Sequence, residues 1–459
     1  MRVTIVGAGY VGLTTGACLS ELGHDVICAD IDRDRIAHLK EGGVPFQEKG
    51  LGELVIKNVA CGRLRFSSDP PSVAKERDIV MIAVGTPKGA NGEADLTFVR
   101  QAARSVALAI SPKTVVTLKS TVVVGTAREV REIIAEERGA LDFWVTSNPE
   151  FLREGSAVSD FMMPDRIVVG ADDRDASERL VSLYRPILDR GAPLIETATC
   201  NAELIKYAAN AFLALKIGFI NDVACLCEKI EGDIGSVAQG IGLDRRIGSS
   251  FLMPGPGYGG SCFPKDTEAF ATTGRLSNAP QPLIETLIAR NDHHKRRIAE
   301  RALTEISGIC DPKVAMLGAA FKANTDDVRE SAALHIAPLL QQSHVAISAF
   351  DPWAQKNAEQ VLPFVTWVQD PYAAAEGADL LLILTEWEMF RSLDPKRLAN
   401  LMRNRIVLDC RNILDPTKMA QSGFRYLSLG RATVPRSMLH TRPGERRVDT
   451  LRRSAAQSM

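Results

Sequence analysis

Short apolar strands alternate with amphipathic helices at both ends of the chain, a glycine-rich turn follows the first strand, and one long helical stretch separates the two alternating blocks. Together these features predict an α/β protein of two Rossmann-like, doubly wound domains joined by a long central helix. At 459 residues there is room for two or three domains, each with its own core. Apolar and charged fractions are ordinary for a globular chain, and a net charge of −1 gives no global electrostatic case for nucleic acid or membrane partners. The longest apolar runs, such as Ala378–Thr385 with Asp379 inside it, are too short to span a bilayer. The N-terminus opens directly into a strand, so no signal peptide is expected. Nine cysteines without paired spacing point to reduced thiols and a cytoplasmic location. No metal is expected: the adjacent His293–His294 and the pair Cys225 and Cys227 lack ligand geometry.

The first block, residues 1–197, opens with the strand Arg2–Val6. The turn Gly7-Ala8-Gly9-Tyr10-Val11-Gly12 follows, then a helix to Leu22, then the strand Val26–Ala29 ending at Asp30. In this context Gly7 makes the turn, Gly9 lets backbone reach a pyrophosphate, and Gly12 allows close helix–strand packing. The helix N-terminus faces the phosphates. Asp30 is placed to accept hydrogen bonds from ribose hydroxyls, which favours NAD over NADP, with Arg33 and Arg35 nearby. Three further strands follow: Asp78–Val84 leading to Thr86, Thr114–Lys119 leading to Thr121, and Phe143–Ser147 leading to Glu150. Ligands of open parallel sheets bind beyond the carboxyl ends of strands, so Thr86, Thr121, Glu150 and Glu154 form a candidate pocket.

Residues 198–300 begin with a helix over Ala198–Ile230. Lys206 and Asn210, four apart, share one of its faces among small apolar residues. A lysine and an amide aimed at one point can stabilise an oxyanion. Residues 241–256 read as a loop, and Pro282–Arg301 as a helix. Between them lies Gly257-Tyr258-Gly259-Gly260-Ser261-Cys262-Phe263-Pro264-Lys265-Asp266. Pro264 suits the first turn of a helix, which puts Cys262 at its positive end and predicts a thiolate nucleophile with Asp266 close by.

Residues 301–430 form the second α/β block, with strands Lys313–Leu317, Val345–Phe350, Asp379–Leu384 and Arg405–Asp409. It lacks the full glycine fingerprint, so its ligand is not expected to be a second dinucleotide held in the same way. Lys322, Arg329 and Arg411 follow strands and suit a phosphate or sugar diphosphate. Residues 431–459, arginine-bearing and poor in apolar residues, read as a disordered tail.

Taken in order, Gly-Ala-Gly-Tyr-Val-Gly at 7–12, Gly-Thr-Pro at 85–87, Lys-Ser-Thr at 119–121, Asn-Pro-Glu-Phe-Leu-Arg-Glu-Gly at 148–155, the helix 202–210, the cysteine loop 257–266 and Phe321–Ser331 resemble the UDP-glucose/GDP-mannose dehydrogenase family over residues 1–430. The resemblance implies two successive NAD-dependent oxidations at C6 of a nucleotide sugar, through a thiohemiacetal and then a thioester on Cys262. It gives Lys206 and Asn210 the oxyanion, and Asp266, Glu150 and Thr121 the proton and the water. It implies NAD contacts from Gly7, Gly9, Gly12, Tyr10, Val11, Asp30, Arg35, Thr86, Thr121, Glu154, Lys265 and Arg329. For the sugar nucleotide it implies Glu150, Phe151, Leu152, Lys206, Asn210, Phe251, Tyr258, Gly259, Phe321, Lys322 and Arg411, joined by Arg246 of the partner subunit in a dimer or an assembly of dimers. The wording of Gly155-Ser156-Ala157 and of Gly257–Gly260 favours UDP-glucose, oxidised to UDP-glucuronate, over GDP-mannose or UDP-N-acetylmannosamine. Intact Cys262, Lys206, Asn210 and Asp266 argue against a non-catalytic nucleotide-sugar binding protein, and a two-electron hydroxyacid dehydrogenase has no need of Cys262. Two positions depart from the family pattern: Val123 stands where proline is frequent, and Glu48-Lys49-Gly50-Leu51 lacks its proline. Both bear on loop stiffness.

Overall fold

A computed structural model of the chain describes residues 1–139 and 142–432. The expected disordered tail lies outside the described residues from position 433 onward; Arg431, within them, pairs with Asp233 at 2.9 Å.

The strands are β1 (Arg2–Val6), β2 (Asp25–Ala29), β3 (Leu64–Ser67), β4 (Ile79–Ile82), β5 (Val115–Leu118), β6 (Trp144–Ser147), β7 (Ile167–Ala171) and β8 (Leu194–Thr197), then β9 (Lys313–Leu317), β10 (Ala346–Phe350), β11 (Thr366–Trp367), β12 (Leu380–Ile383), β13 (Ile406–Asp409) and β14 (Arg425–Ser428). They build two sheets, of eight strands in the order β3-β2-β1-β4-β5-β6-β7-β8 and of six in the order β11-β10-β9-β12-β13-β14. In each, the first strand is flanked by the second on one side and the fourth on the other, which makes a crevice at the carboxyl ends. Val3, Ile5, Ile79 to Ile82, Leu380 to Ile383 and Val407 are buried, because helices cover both faces and a parallel strand then reads as an unbroken apolar run. The first sheet is not parallel throughout, as the sequence had suggested. β7 runs antiparallel to β6, with Thr146 opposite Ala171, and β8 then pairs parallel to β7.

The helix Thr199–Lys229 joins the sheets and packs on the helices Phe263–Leu276 and Pro282–Glu305. Among the described residues it is the one helix long and apolar enough to cross a membrane. It also buries Glu203, Lys206, Asn210 and Asn221, all hydrogen-bonded inside the protein, as a core helix does. Its exposed apolar residues Phe212, Phe219, Leu226 and Ile230 recur at sevens and a four, so they form one stripe.

Candidate active site

The first glycine turn is built by contact. Gly7 has φ of +105°, and a Cβ there would lie 2.6 Å from the Ala83 carbonyl oxygen; a Cβ on Gly12 would lie 1.8 Å from the Gly7 carbonyl oxygen. Around Gly9 there is open space to 4 Å. No side chain caps the helix Tyr10–Glu21, which leaves its first amides for an anion. Asp30, at the end of β2, accepts from the Ala8 amide at 2.8 Å and from Arg35 at 3.0 Å. Arg35 also pairs with Asp32 at 3.4 Å, so it is held in the cradle by two acids rather than extended towards a 2′-phosphate. The Thr86 hydroxyl donates to the Thr121 carbonyl at 2.9 Å and ties two strand ends together. An open, donor-lined turn with an acid at the end of the second strand fits an NAD pyrophosphate and ribose.

A cavity of about 600 Å³ lies where the two α/β blocks and the central helix meet, with Glu150, Phe151, Lys206, Asn210 and Cys262 on one side and Phe321 and Lys322 on the other. The central helix presents Lys206 and Asn210 one turn apart, as their spacing predicts. Lys206 donates to Glu150 at 2.9 Å, with both side chains buried. Burial opposes the Glu150 charge, but Lys206, the Leu152 amide and Lys119 together hold its carboxyl below the ordinary range. Burial likewise opposes the Lys206 charge, and the carboxylates of Glu150 and Asp266 help to restore it, so that it stands above the ordinary lysine range. Glu150 is therefore a carboxylate and Lys206 an ammonium, the latter 5.3 Å over the Phe151 ring. Asn210 donates to Asp266 at 2.6 Å, and Lys265 reaches the other oxygen of Asp266 at 2.6 Å.

Cys262 caps the helix Phe263–Leu276, with Pro264 in the first turn, and its carbonyl accepts from the Asp266 amide at 2.9 Å. The helix start favours a thiolate at Cys262, and Lys206 pulls in the same direction, but burial pushes the thiol up.

The cysteine loop is fastened from below by Asn291, which sequence reasoning did not single out, and by His294, considered there only as a metal ligand. Asn291 accepts from the Tyr258 amide at 2.9 Å and donates to its carbonyl at 3.1 Å, and His294 donates to the Gly255 carbonyl at 2.8 Å. Tyr258 is buried, with its ring against Phe263, and lies behind the cavity wall rather than on it. A Cβ on Gly259 would sit 2.3 Å from the Glu330 carbonyl oxygen, so only glycine lets the loop lie this close to the second block. Phe251 lines the cavity in a left-handed conformation, φ +65°.

Glu154 ties the three regions together. It accepts from Ser261 at 3.2 Å and Thr325 at 2.9 Å, while Lys322 donates to its backbone carbonyl at 2.6 Å. Burial and the neighbouring Asp327 push its carboxyl up to about 7. Arg329 pairs with Asp327 at 2.7 Å and with Glu154 at 3.8 Å. Glu48, the acid of the altered Glu-Lys-Gly-Leu turn, accepts from Tyr10 and from the Gly155 and Ala157 amides at 2.7 and 2.9 Å. Arg411 is spent on the Phe321 and Leu384 carbonyls and on Glu386, so it shapes the cavity from behind. Asp351, in the second block's counterpart of the Asp30 position, is consumed by the Ala319 and Ala320 amides and the Trp387 indole. Arg246 is exposed, paired with Asp244 at 2.7 Å, and does not reach the cavity of its own chain.

Comparison with known proteins adds independent findings. Sequence models for three domains of one family match the chain in order: NAD binding over residues 1–188, central over 200–293 and UDP binding over 315–416. A UDP-glucose 6-dehydrogenase of Rhizobium meliloti is 48% identical over 435 residues, covering 94% of this chain and 100% of the relative. The solved structure of a UDP-glucose dehydrogenase from the hyperthermophilic archaeon Pyrobaculum islandicum matches with a TM-score of 0.88 at 37% identity, covering 94% of this chain and 98% of that one. A UDP-D-ManNAc dehydrogenase from Pyrococcus horikoshii matches with a TM-score of 0.84 at 25% identity, covering 95% of this chain and 100% of that one. With three domains matched in sequence and nearly half of its residues shared with a full-length relative, the chain belongs to the UDP-glucose/GDP-mannose dehydrogenase family and is an NAD-binding dehydrogenase.

Proposed function

We propose that the protein oxidises UDP-glucose to UDP-glucuronate in two steps at one site, with the substrate carbon held on Cys262 between them. The observation that carries this is a single cavity holding Cys262, the Lys206–Glu150 ion pair and Asn210 backed by Asp266. Bound NAD supplies a hydride acceptor, once per oxidation. The chain's residues do the rest. Cys262 is a thiol at rest, so its S–H adds across the aldehyde carbonyl: sulfur bonds C6, and the proton goes to the oxygen. Lys206 and the Asn210 amide steady the charge that builds on that oxygen. Oxidation of this thiohemiacetal gives a thioester. Glu150 then takes a proton from water as water adds to the acyl carbon, the acyl–sulfur bond breaks, and the thiol is regained with a free carboxylate. Covalent retention keeps a reactive aldehyde from escaping.

UDP-glucose is the favoured sugar because the full-length relative at 48% identity acts on it by name, whereas the UDP-D-ManNAc dehydrogenase shares the fold at 25%. Fold alone does not choose the sugar. The apolar stripe of the central helix is the natural seat of a second copy, which would bring Arg246 of the partner subunit towards the cavity. All nine cysteines are unpaired, which suits a reducing compartment. The test is Cys262→Ser: UDP-glucuronate formation falls to background by product chromatography, and unchanged turnover would remove the covalent step.

A further inference from the structure

Lys119, just beyond β5, lines the same cavity, is 5% exposed, and has no part in the chemistry above. It donates to the Asn148 side-chain oxygen at 3.0 Å and to the Tyr184 hydroxyl at 3.2 Å. Tyr184 donates to that same oxygen at 2.5 Å, and the Asn148 amide donates to the Val168 carbonyl at 2.8 Å. The ends of β5, β6 and β7 are thereby tied through one ammonium. The rings of Tyr184 and Phe161 lie 5.5 and 5.9 Å from it. Both hydrogen-bond partners are neutral, and among the described residues no carboxylate lies within ion-pair distance. A buried ammonium without a carboxylate is costly, and a methionine would fill the space more cheaply.

The charged groups that face it are few. From the residues after β6 comes Glu150, from the central helix Lys206, and from the segment before the helix Arg185–Leu188 only the Tyr184 phenol. Asp160, near Phe161, is taken by Arg153, and Arg166 is stacked 3.5 Å over the Phe151 ring. The cavity therefore sets two ammonium groups, Lys119 and Lys206, around one carboxylate, Glu150. Asn148, which Lys119 grips, is two residues from Glu150.

We propose that Lys119 is a positioning residue for Glu150: it fixes the strand end that carries the carboxylate and supplies a second positive field on it, without touching substrate. This deepens the dehydrogenase reading and rests on it. Lys119 is charged wherever Glu150 titrates, because burial brings the ammonium down only to about 8. Glu150 must be ionised to accept a proton from water, so kcat falls on the acid side as it protonates. Removing the Lys119 charge moves that fall to higher pH. Above about 8 the native lysine has lost its own proton, so native and variant profiles meet there.

The experiment is the pH profile of kcat with UDP-glucose and NAD for the native protein, Lys119→Gln, Lys119→Met and Lys119→Arg, with Tm and NAD affinity measured alongside. Expected are an acid limb moved up by about 1 pH unit in the Gln and Met variants, a loss that approaches roughly tenfold only below the native limb and shrinks to within about threefold from near pH 6 upward, and a retained limb in the Arg variant. An unmoved acid limb in folded Lys119→Gln overturns the proposal. So does a pH-independent loss in Lys119→Met with a normal Gln variant, which would leave only a hydrogen-bonding role. Native protein without turnover would sink the dehydrogenase reading itself and this inference with it, an outcome distinct from active native protein with unmoved variants.

Discussion

Lys206 and Glu150 each make the other's burial tolerable. Lys206→Met leaves Glu150 buried without its closest countercharge, at a cost of about 3–5 kcal/mol in stability, and removes an oxyanion donor worth roughly 10²–10³ in kcat. The variant should thus be both less stable in thermal melts and nearly inactive; full activity would detach Lys206 from the chemistry. The native Glu150 carboxyl lies below its ordinary range, so its contribution to stability is complete above about pH 4.3, the unfolded value, and is lost as pH falls through the folded one. Asp30→Ala should weaken NAD binding about tenfold, ~1.4 kcal/mol, in a fluorescence titration; an unchanged affinity would mean that its bonds to Ala8 and Arg35 are its whole role. At this scale Cys262, Lys206, Asn210 and Asp266 were legible because helical spacing and a helix start set their mutual placement. The protonated state of Cys262 was not, since it depends on burial. Glu48, Asn291 and Lys119 were not either: their partners at 155–157, 258 and 184 lie far along the chain.

Elements, too, are fixed by distant groups. The helix Thr126–Arg138 has Gly125 at its N-terminus and no cap of its own; Glu203 of the central helix accepts from the Gly125 and Ala127 amides at 2.7 and 2.8 Å. Burial pushes the Glu203 carboxyl up to about 7, outweighing those amides. The folded state then holds a proton more tightly than the unfolded one, so this group's contribution declines as pH rises from about 4.3 to about 7. Glu203→Ala should lower stability by about 2 kcal/mol, and Glu203→Gln should flatten the pH dependence of Tm between about 5 and 7. An unaltered slope in the Gln variant would place the titration elsewhere. The central strands and long helices were readable as runs of apolar residues or as 3.6-residue periodicity. β3, β8, β11 and β14 were not: they lie at sheet edges, are short, and expose residues such as Ile195 and Glu196; β7, inside the first sheet, was not read either. The antiparallel entry of β7 follows from chain path, which local pattern does not encode.

For the molecule as a whole, two α/β blocks close on one cavity because Glu154, Gly259 and Lys322 are each seated on a neighbouring region. The stripe Phe212, Phe219, Leu226 and Ile230 is exposed on the described chain, and a second copy would cover it. On the proposed dimer, Phe219→Glu should therefore give a monomer by light scattering and cost activity at least about tenfold, since Arg246 of the partner subunit would no longer be supplied; a fully active monomer would show that each chain is complete. Removing residues 433–459 should leave kcat within about twofold. The pairing of a dinucleotide cradle with a second nucleotide-binding block was legible from the glycine turn and its missing counterpart; the consumption of Asp351 by Ala319, Ala320 and Trp387 was visible only in three dimensions. The most direct measurement is NADH formed per UDP-glucose consumed, run to completion. Two per sugar, with UDP-glucuronate as product, is the predicted result; one per sugar would contradict it and leave Cys262 without a role.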